Sequence, residues 1–144
     1  MMRLLGLTHE RPEVTPDVSV RETARIMAES HIGAIAVRKG ATIVGVFSER
    51  DLMKRVVAEG RDPVTTRVGE VMNADIVKVL DSDSVESAAS AMRARHVRHA
   101  VIVDRADNYL ALLSERHLLY DVMNALEAKV GDLTGYIMND APGG

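Results

Sequence analysis

The polar stretch Ser48-Glu49-Arg50-Asp51 combines residue types that suit the binding of a ribose phosphate. It follows an apolar, strand-like run and opens a helical pattern, and a helix N-terminus attracts anions through its unpaired amides and its dipole. The Ser48 hydroxyl can donate to a phosphate, and Arg50 adds a positive charge with fork geometry. The Asp51 carboxylate can accept hydrogen bonds from both hydroxyls of a ribose. The stretch therefore predicts a nucleotide site at a strand-to-helix turn.

The same residue types also fit an ordinary helix cap, in which a serine begins the helix and an acid stands in its first turn. Cap and dipole effects contribute only about 0.3–1 kcal/mol each, whereas micromolar binding requires about 8 kcal/mol. The turn alone therefore cannot hold a ligand, and a nucleotide base would need an apolar slot nearby. The candidates for this slot are Ile32, Gly33, Ala34 and Ile35.

A second copy of the turn favours the nucleotide interpretation. The tripeptide Ser-Glu-Arg returns in Ser114-Glu115-Arg116-His117, again after an apolar run. Ser19 coincides with Ser84 under a shift of 65 positions, and Ser48 coincides with Ser114 under a shift of 66. The chain is therefore predicted to be an internal duplication. Because each copy is too small to hold a good core alone, we expect the two copies to pack face to face.

Each copy has the pattern β-α-β-β-α, which predicts an α/β (α+β) fold of two pseudo-symmetric units. The first copy has an extended entry at residues 14–18 and a capping box at Ser19-x-x-Glu22. Apolar runs at residues 34–38 and 43–47 predict two neighbouring strands. We assign residues 1–66 to the first repeat with an N-terminal leader, 67–128 to the second repeat and 129–144 to a tail.

The last helical pattern is apolar over a wide arc. One core cannot easily absorb such an arc, so a second subunit is expected to cover it. The tail after this helix is expected to fold back or to cross to the partner. The residues that form the arc are Leu118, Leu119, Val122, Met123 and Leu126.

Composition excludes several classes of protein. The absence of cysteine from the 144 residues excludes disulfides, thiolate catalysis and cysteine metal sites. A net charge of −3 and an aromatic content of 3% argue against binding of nucleic acid. No run approaches the ~20 apolar residues that cross a bilayer, so a cytoplasmic location is the default expectation. The chain also lacks the G-x-S-x-G, G-x-G-x-x-G and Walker motifs of common enzyme classes.

From residue 14 to about residue 126, the chain resembles a pair of cystathionine-β-synthase-type (CBS) domains, also called a Bateman module. The family motif G-h-h-[S/T]-x-x-D is complete from Gly45 to Asp51. Residues 97–104 match the h-R-H-h-P-V-V-D stretch, with Val101 where proline is usual. The resemblance implies two pseudo-symmetric clefts between the repeats and disc-shaped homodimers. It also implies adenine-nucleotide ligands, namely AMP, ADP, ATP or NAD(H), with S-adenosylmethionine ranked behind them.

By this resemblance, Asp51 would hold the ribose diol, Ser48 and Arg50 the phosphate, and the Gly33-Ala34 stretch the base. The residues expected in the first cleft are Ser48, Arg50, Asp51, Thr15, Ile32, Gly33, Ala34 and Ile35. The residues expected in the second cleft are Ser114, Arg116, His117, Val97, Arg98, His99 and Ala100.

The second copy departs from the motif at two positions, because His117 replaces the aspartate and Ala111 replaces the glycine. A histidine cannot chelate a diol as a carboxylate does. The second cleft is therefore expected to be empty, or to take an altered or more anionic ligand. The pair His96-x-x-His99 could bind a metal ion only with further ligands, and no carboxylate pair stands nearby in the sequence.

Two functions fit these patterns. One is a regulatory module that senses an adenine nucleotide and acts through a change of shape on a protein partner. The other is a scaffold or dimerisation protein in which the clefts are relics. A catalytic role lacks any arrangement of acid, base or nucleophile, so the chain is not predicted to be an enzyme.

Overall fold

The computed structural model describes residues 12–140, with the backbone alone for residues 133–140. The predicted leader before Pro12 and the last part of the predicted tail, from Ala141 on, lie outside the described residues. The described chain contains two three-stranded sheets, one from each repeat.

The elements of the two repeats follow the same order along the chain. The first repeat contains β1 (Glu13–Val14), α1 (Val20–Glu29), β2 (Ala34–Lys39), β3 (Thr42–Ser48) and α2 (Glu49–Asp51), which continues as a π-helical segment (Leu52–Val57). After α3 (Val68–Val71), the second repeat contains β4 (Lys78–Leu80), α4 (Val85–Ala94), β5 (His99–Val103), β6 (Tyr109–Ser114) and α5 (Glu115–Asp140). The predicted β-α-β-β-α order is therefore confirmed for both repeats.

The two sheets have the same topology and an equivalent register. In each, the first strand runs parallel to the middle strand, and the last strand pairs antiparallel with it. Ala34 lies opposite Ser48 in the first sheet, and His99 lies opposite Ser114 in the second. In both repeats, the serine that opens the helix therefore lies beside the first residue of the middle strand.

The ends of the first helix in each repeat show the same duplication at the level of the backbone. Ser19 caps α1 and Ser84 caps α4, and in both cases the hydroxyl oxygen accepts from a backbone N–H at 3.1 Å. After the helix, His31 and His96 adopt φ values of 55° and 54°. Side-chain-bearing residues rarely adopt this left-handed conformation. Its recurrence at equivalent positions supports the predicted repeat.

The two sheets pack against each other through one face and against helices through the other. Strand side chains alternate between the faces of a sheet. Ile35 and Phe47 lie in the helix-covered core of the first repeat, and Leu113 lies in that of the second. Ala34 and its neighbours on the inner face form a third cluster with inner residues of the second sheet. The predicted face-to-face packing is therefore confirmed.

The segment that joins the repeats belongs to the core of the first one. Val68 and Val71 of α3 are fully buried there, beside residues of β2 and β3. The next turn adds a strand-like pairing, because Asn73 and Val46 exchange backbone hydrogen bonds of 2.8 and 3.0 Å. The predicted boundary between residues 66 and 67 therefore does not separate the two cores.

Gly45 is the position where this joining segment comes closest to the sheet. A Cβ atom on residue 45 would lie 2.8 Å from Met72 Cγ and 3.1 Å from the carbonyl oxygen of Asn73. Real Cβ atoms essentially never approach another atom to 2.8 Å, and 3.1 Å is tighter than most real Cβ contacts, so the joining segment would have to shift. The glycine of the G-h-h-S motif therefore serves the packing of the joining segment.

We expect Gly45→Ala to lower the free energy of unfolding by about 1–3 kcal/mol, because the added methyl group overpacks this contact. Urea unfolding measures the change. Gly131→Ala is the matched control, since nothing lies within 4 Å of that position on α5. There, alanine should raise the free energy of unfolding by about 0.5–1 kcal/mol through its helix propensity. A change in the free energy of unfolding of the same sign in both variants would contradict the packing argument.

The last helix, α5, spans 26 residues and leaves an apolar stripe exposed. Its first turn buries Leu118 in the core of the second repeat. Residues 129–140, predicted as part of a tail that folds back or crosses to a partner, instead continue the helix, and no proline interrupts it before Pro142. None of the described helices is both long and apolar enough to cross a membrane. The exposed apolar residues of the stripe are Leu119, Tyr120, Met123, Leu126 and Val130.

Candidate functional site

A cavity of about 660 Å³ lies between the two repeats, where β2 and β5 begin and β3 and β6 end. Its size falls within the range of about 300–1,000 Å³ that is typical of ligand pockets. The first repeat contributes His31, Ile32, Gly33, Ala34, Ser48, Glu49, Arg50 and Asp51 to its lining. The second repeat contributes His96, Val97, Arg98, His99, Ser114, Glu115, Arg116 and His117.

Ser48 and Asp51 form a reciprocal cap at the start of α2. The Ser48 N–H donates to Asp51 Oδ2 at 2.9 Å, and the Ser48 hydroxyl donates to the same oxygen at 3.0 Å. The Asp51 N–H donates to Ser48 Oγ at 3.3 Å. A carboxylate has about four acceptor sites, so Asp51 keeps acceptor capacity on Oδ1. The helix cap and a diol-binding role are therefore compatible in the same residues.

Arg55 connects this carboxylate to the segment that joins the repeats. Its Nε lies 3.7 Å from Asp51 Oδ1, and its Nη1 donates to the carbonyl oxygen of Met72 at 2.8 Å. No motif in the sequence pointed to Arg55. Its contacts make it a positioning residue that holds Asp51 on one side and the joining segment on the other.

Two helices begin at the cavity, and the first backbone N–H of each donates a hydrogen bond to a carbonyl of the protein. The Glu49 N–H donates to the Gly33 carbonyl at 3.0 Å, and the Glu115 N–H donates to the Arg98 carbonyl at 2.8 Å. These amides are equivalent in the two repeats and do not donate to a ligand. Neither of these two amides is therefore available to an anion in the cavity.

The second repeat keeps the cap but not the carboxylate. The His117 N–H donates to Ser114 Oγ at 3.0 Å, in the same way that Asp51 donates to Ser48. Arg98 and His99 stand where the first repeat has a glycine and an alanine, and both line the cavity. This side of the cavity therefore offers hydrogen-bond donors where the first repeat offers space and an acceptor.

His99 lies in the wall between the two sets of residues. Burial lowers the pKa of its imidazole below the usual value of 6.5. The negative charge of Asp51 opposes this effect and raises the pKa, whereas Arg98 and His117 lower it further. His99, Asp51 and His117 all line this one cavity, so residues predicted for two separate clefts share one space.

This lowered pKa predicts a pH dependence of stability. As the pH falls below about 6.5, the unfolded chain binds a proton at His99 before the folded chain does, so the free energy of unfolding decreases. Above that pH both states are neutral at His99 and the group contributes nothing. Urea unfolding between about pH 5 and pH 8 should show a shallower acid decline for His99→Gln than for the wild type. A constant difference between the two proteins across this range would contradict the prediction.

Thr15 was predicted in the first cleft but does not line the cavity. It lies in a separate shallow depression, and its hydroxyl donates to Asp17 at 2.6 Å. The reason is that β1 ends at Val14 rather than continuing to residue 18. The chain turns at this point, as shown by the hydrogen bond from the Val18 N–H to the Thr15 carbonyl.

Ile35 and Ala100 were also predicted in the clefts and are also wrong. Their relative exposures are 0% and 1%, and both side chains lie in helix-covered cores. Each is the second residue of its strand, and successive side chains of a strand point to opposite faces. The preceding residues, Ala34 and His99, are the ones that line the cavity.

The remaining predicted residues come together, but in one cavity rather than in two clefts. From the first predicted cleft these are Ser48, Arg50, Asp51, Ile32, Gly33 and Ala34. From the second they are Ser114, Arg116, His117, Val97, Arg98 and His99.

Several lining residues were not predicted from the sequence. Glu49 and Glu115 stand inside the repeated tripeptide, and His31 and His96 coincide under the repeat shift, so the duplication could have identified these four. No sequence signal marked the others as cavity residues, and they reach the cavity through the joining segment, the start of the described chain, the sheet interface or α5. These are Pro12, Val46, Asn73, Asp75, Ile76, Leu112 and Leu119.

A metal centre is not supported within residues 12–140. No three histidine, aspartate or glutamate side chains converge there as metal ligands. His96 and His99 both line the cavity, but the carboxylate of Asp75 on the same wall is paired with Arg95.

Both repeats match one known sequence family. The sequence model of the CBS domain matches residues 7–58 and 68–124. The CBS domain-containing protein YhcV of Bacillus subtilis (strain 168) is 32% identical over 99 residues, which cover 69% of this chain and 70% of that protein.

Solved structures of similar proteins show the same fold. A protein with CBS domains from Burkholderia ambifaria MC40-6 has a TM-score of 0.77 and 30% identity, covering 84% of this chain and 91% of that one. A CBS domain protein from Pyrobaculum aerophilum, solved in complex with AMP, has a TM-score of 0.75 and 29% identity. That match covers 90% of this chain and 99% of the other.

Proposed function

The chain belongs to the CBS domain family, and we propose that it is a regulatory module that binds an adenine nucleotide in the cavity between its two repeats. The observation that carries the proposal is the Ser48–Asp51 pair on the cavity wall, in which the carboxylate is oriented and retains acceptor capacity. The AMP complex of the similar Pyrobaculum aerophilum protein supports this class of ligand. The candidates are AMP, ADP, ATP and NAD(H), followed by S-adenosylmethionine.

The proposed roles follow the chemistry of the wall. Asp51 accepts hydrogen bonds from the ribose hydroxyls, and Arg50 forms an ion pair with the phosphate. The Ser48 hydroxyl also donates to the phosphate after it rotates away from Asp51. The base lies against Gly33, which has no side chain, and Ala34, whose side chain is a single methyl group. Hydrogen bonds to charged groups contribute about 1.5–3 kcal/mol each, so a few of them together with burial of the base reach the ~8 kcal/mol of micromolar binding.

The proposed action is regulatory, and the proposal assigns no catalysed reaction to the cavity. A nucleotide shifts the balance between two shapes only as far as it binds them with different affinities. Arg55 offers a physical route for such a shift, because it contacts both Asp51 and the carbonyl of Met72. A displacement of the Asp51 carboxylate on nucleotide binding would shift Arg55 and the joining segment that it contacts, and a protein partner bound there would detect this shift.

We further propose a homodimer in which the apolar stripe of α5 is covered by a second copy. Two large apolar side chains of the π-helical segment, Met53 and Val57, are also exposed. A row of large apolar side chains exposed on one helix is typical of protein interfaces. Sedimentation equilibrium should give twice the monomer mass, and a monomer at micromolar concentration would contradict this part of the proposal.

Thermal melting with AMP, ATP, NADH and S-adenosylmethionine tests the nucleotide proposal. A ligand that binds only the folded state raises the melting temperature, so at least one nucleotide should do so. Mass spectrometry of ligand retained through gentle purification gives an independent identification. A flat panel, with no retained nucleotide, would contradict the proposal.

A flat panel would favour the alternative, a scaffold whose cavity is a relic. Two observations support this second candidate. The cap between Ser48 and Asp51 is complete within the protein, so these residues have a structural role of their own. The second repeat has lost the motif carboxylate at His117.

A further inference from the structure

We infer that the cavity takes a single nucleotide with two or more phosphates, whose phosphate chain extends from the first repeat to the second. The inference rests on the proposed function and specifies its ligand. It differs from the expectation of two separate clefts, one for each repeat. We call the first-repeat wall the nucleoside side and the second-repeat wall the phosphate side.

Equivalent positions on the two sides of the cavity carry different residues. The repeated tripeptide is identical, so its serine, glutamate and arginine occur once on each side. Three lining positions that bear on charge or space differ. Gly33 corresponds to Arg98, Ala34 corresponds to His99, and Asp51 corresponds to His117. At each of the three, the phosphate side has gained a cation or an N–H donor, or has lost a carboxylate.

These differences give the cavity a charge asymmetry. On the nucleoside side, Glu49 and Asp51 outweigh Arg50, which leaves one net negative charge. On the phosphate side, Arg98 and Arg116 balance Glu115 and Asp75, and Asp75 is itself paired with Arg95, so this side carries no net negative charge with the histidines counted as neutral. The glutamate of the tripeptide repels phosphate equally on both sides and does not alter the difference. A phosphate chain is therefore favoured on the second-repeat wall.

The same residue differences between the two sides also determine where the nucleotide base fits. Gly33 and Ala34 add at most one methyl group to the cavity wall, whereas Arg98 and His99 place a guanidinium and an imidazole side chain at the equivalent positions. The phosphate side also lacks a carboxylate for a second ribose. A second nucleoside therefore has neither the slot nor the acceptor that the first one has.

The two sides are close enough for one ligand to bridge them. Asp51 on the nucleoside side and Arg98, His99 and His117 on the phosphate side all line the same cavity of about 660 Å³, so a single ligand can contact both sides. Among the residues described, neither Arg98 nor Arg116 has a carboxylate partner within 4 Å, so both guanidinium groups are available for bidentate contacts to phosphate.

Calorimetric titration of the full chain with AMP, ADP and ATP in magnesium-free buffer tests this inference. We expect one nucleotide per chain and an affinity that increases with phosphate number, with ATP roughly tenfold or more tighter than AMP. Arg98→Gln and His117→Asp should each reduce this preference, because they weaken ATP binding roughly tenfold more than AMP binding. Arg93→Gln is the control, since it removes the same charge as Arg98→Gln at an exposed α4 position outside the cavity. It should change the affinities for AMP and ATP by the same small factor.

Two AMP molecules per chain, or equal affinities for AMP and ATP, would overturn the inference while leaving the proposed nucleotide site in place. An equal weakening of AMP and ATP binding by Arg98→Gln would overturn it in the same way. No binding of any nucleotide to protein that melts cooperatively would overturn both proposals together.

Discussion

Asp51→Asn is expected to lower nucleotide affinity about a hundredfold, because two ribose hydroxyls lose a charged acceptor at a net cost of about 1.5 kcal/mol each. The amide oxygen can still accept from the Ser48 N–H, so the cap at the start of α2 is kept. The loss should therefore appear in binding rather than in folding. Titration calorimetry measures the affinity, and a thermal melt without ligand verifies the fold.

Glu49→Gln is the matched control for this variant. Glu49 is adjacent in sequence, lines the same cavity and carries the same charge, but its side chain takes no part in the cap. Its neutralisation should change affinity only slightly, in the direction of tighter phosphate binding. An equal loss in the two variants would assign the effect to the overall charge of the cavity. Unchanged affinity in Asp51→Asn would remove the ribose contact from the proposal.

Phe47→Ala is expected to have the largest effect on stability. Phe47 is the single phenylalanine of the chain, and its side chain is fully buried in the core of the first repeat. Truncation of such a residue costs about 3–5 kcal/mol through lost burial and a residual cavity. A typical domain is stable by only about 5–15 kcal/mol. Urea unfolding should therefore show a large decrease in the midpoint concentration.

Leu113→Ala provides the equivalent test in the second repeat. Leu113 coincides with Phe47 under the shift of 66 and is equally buried, so a loss of about 2–5 kcal/mol is expected. Because the two sheets share an inner core, each variant should unfold in a single transition. Val64→Ala, at a side chain that is 55% exposed and outside the proposed dimer surface, should change stability by no more than about 0.5 kcal/mol. Separate transitions for the two repeats would contradict the shared core.

The elements that could be predicted from the sequence are those with local causes. Serine caps such as Ser19 and Ser84 specify helix starts through hydrogen bonds from amides three residues on, and short apolar runs rich in β-branched residues indicated the strands. The π-helical segment after Asp51 could not be predicted, because its wide turn depends on packing and on the contact of Arg55 with the joining segment. The attachment of α3 to the first core was missed for the same reason, since no local pattern distinguishes one core from the other.

The candidate site shows the same division. The Ser-Glu-Arg tripeptide and its duplication located both helix starts that line the cavity. Ile35 and Ala100 were wrong because an apolar run was treated as a continuous wall, although only alternate strand residues share a face. The two predicted clefts form one cavity because of the way in which the two sheets pack against each other. This packing depends on side chains that are distant in sequence, so no local motif predicts it.

The position of α3 has a consequence for how such a chain can be cut or recombined. Its two valines complete the interior of the half that precedes it, while its backbone leads into the half that follows. A fragment ending near Gly60 would lack part of its own interior, and the complementary fragment would begin with apolar side chains that have lost their cover. The pair of repeats is therefore the unit that can be transferred between proteins. An exchange of one repeat with another protein would have to include α3.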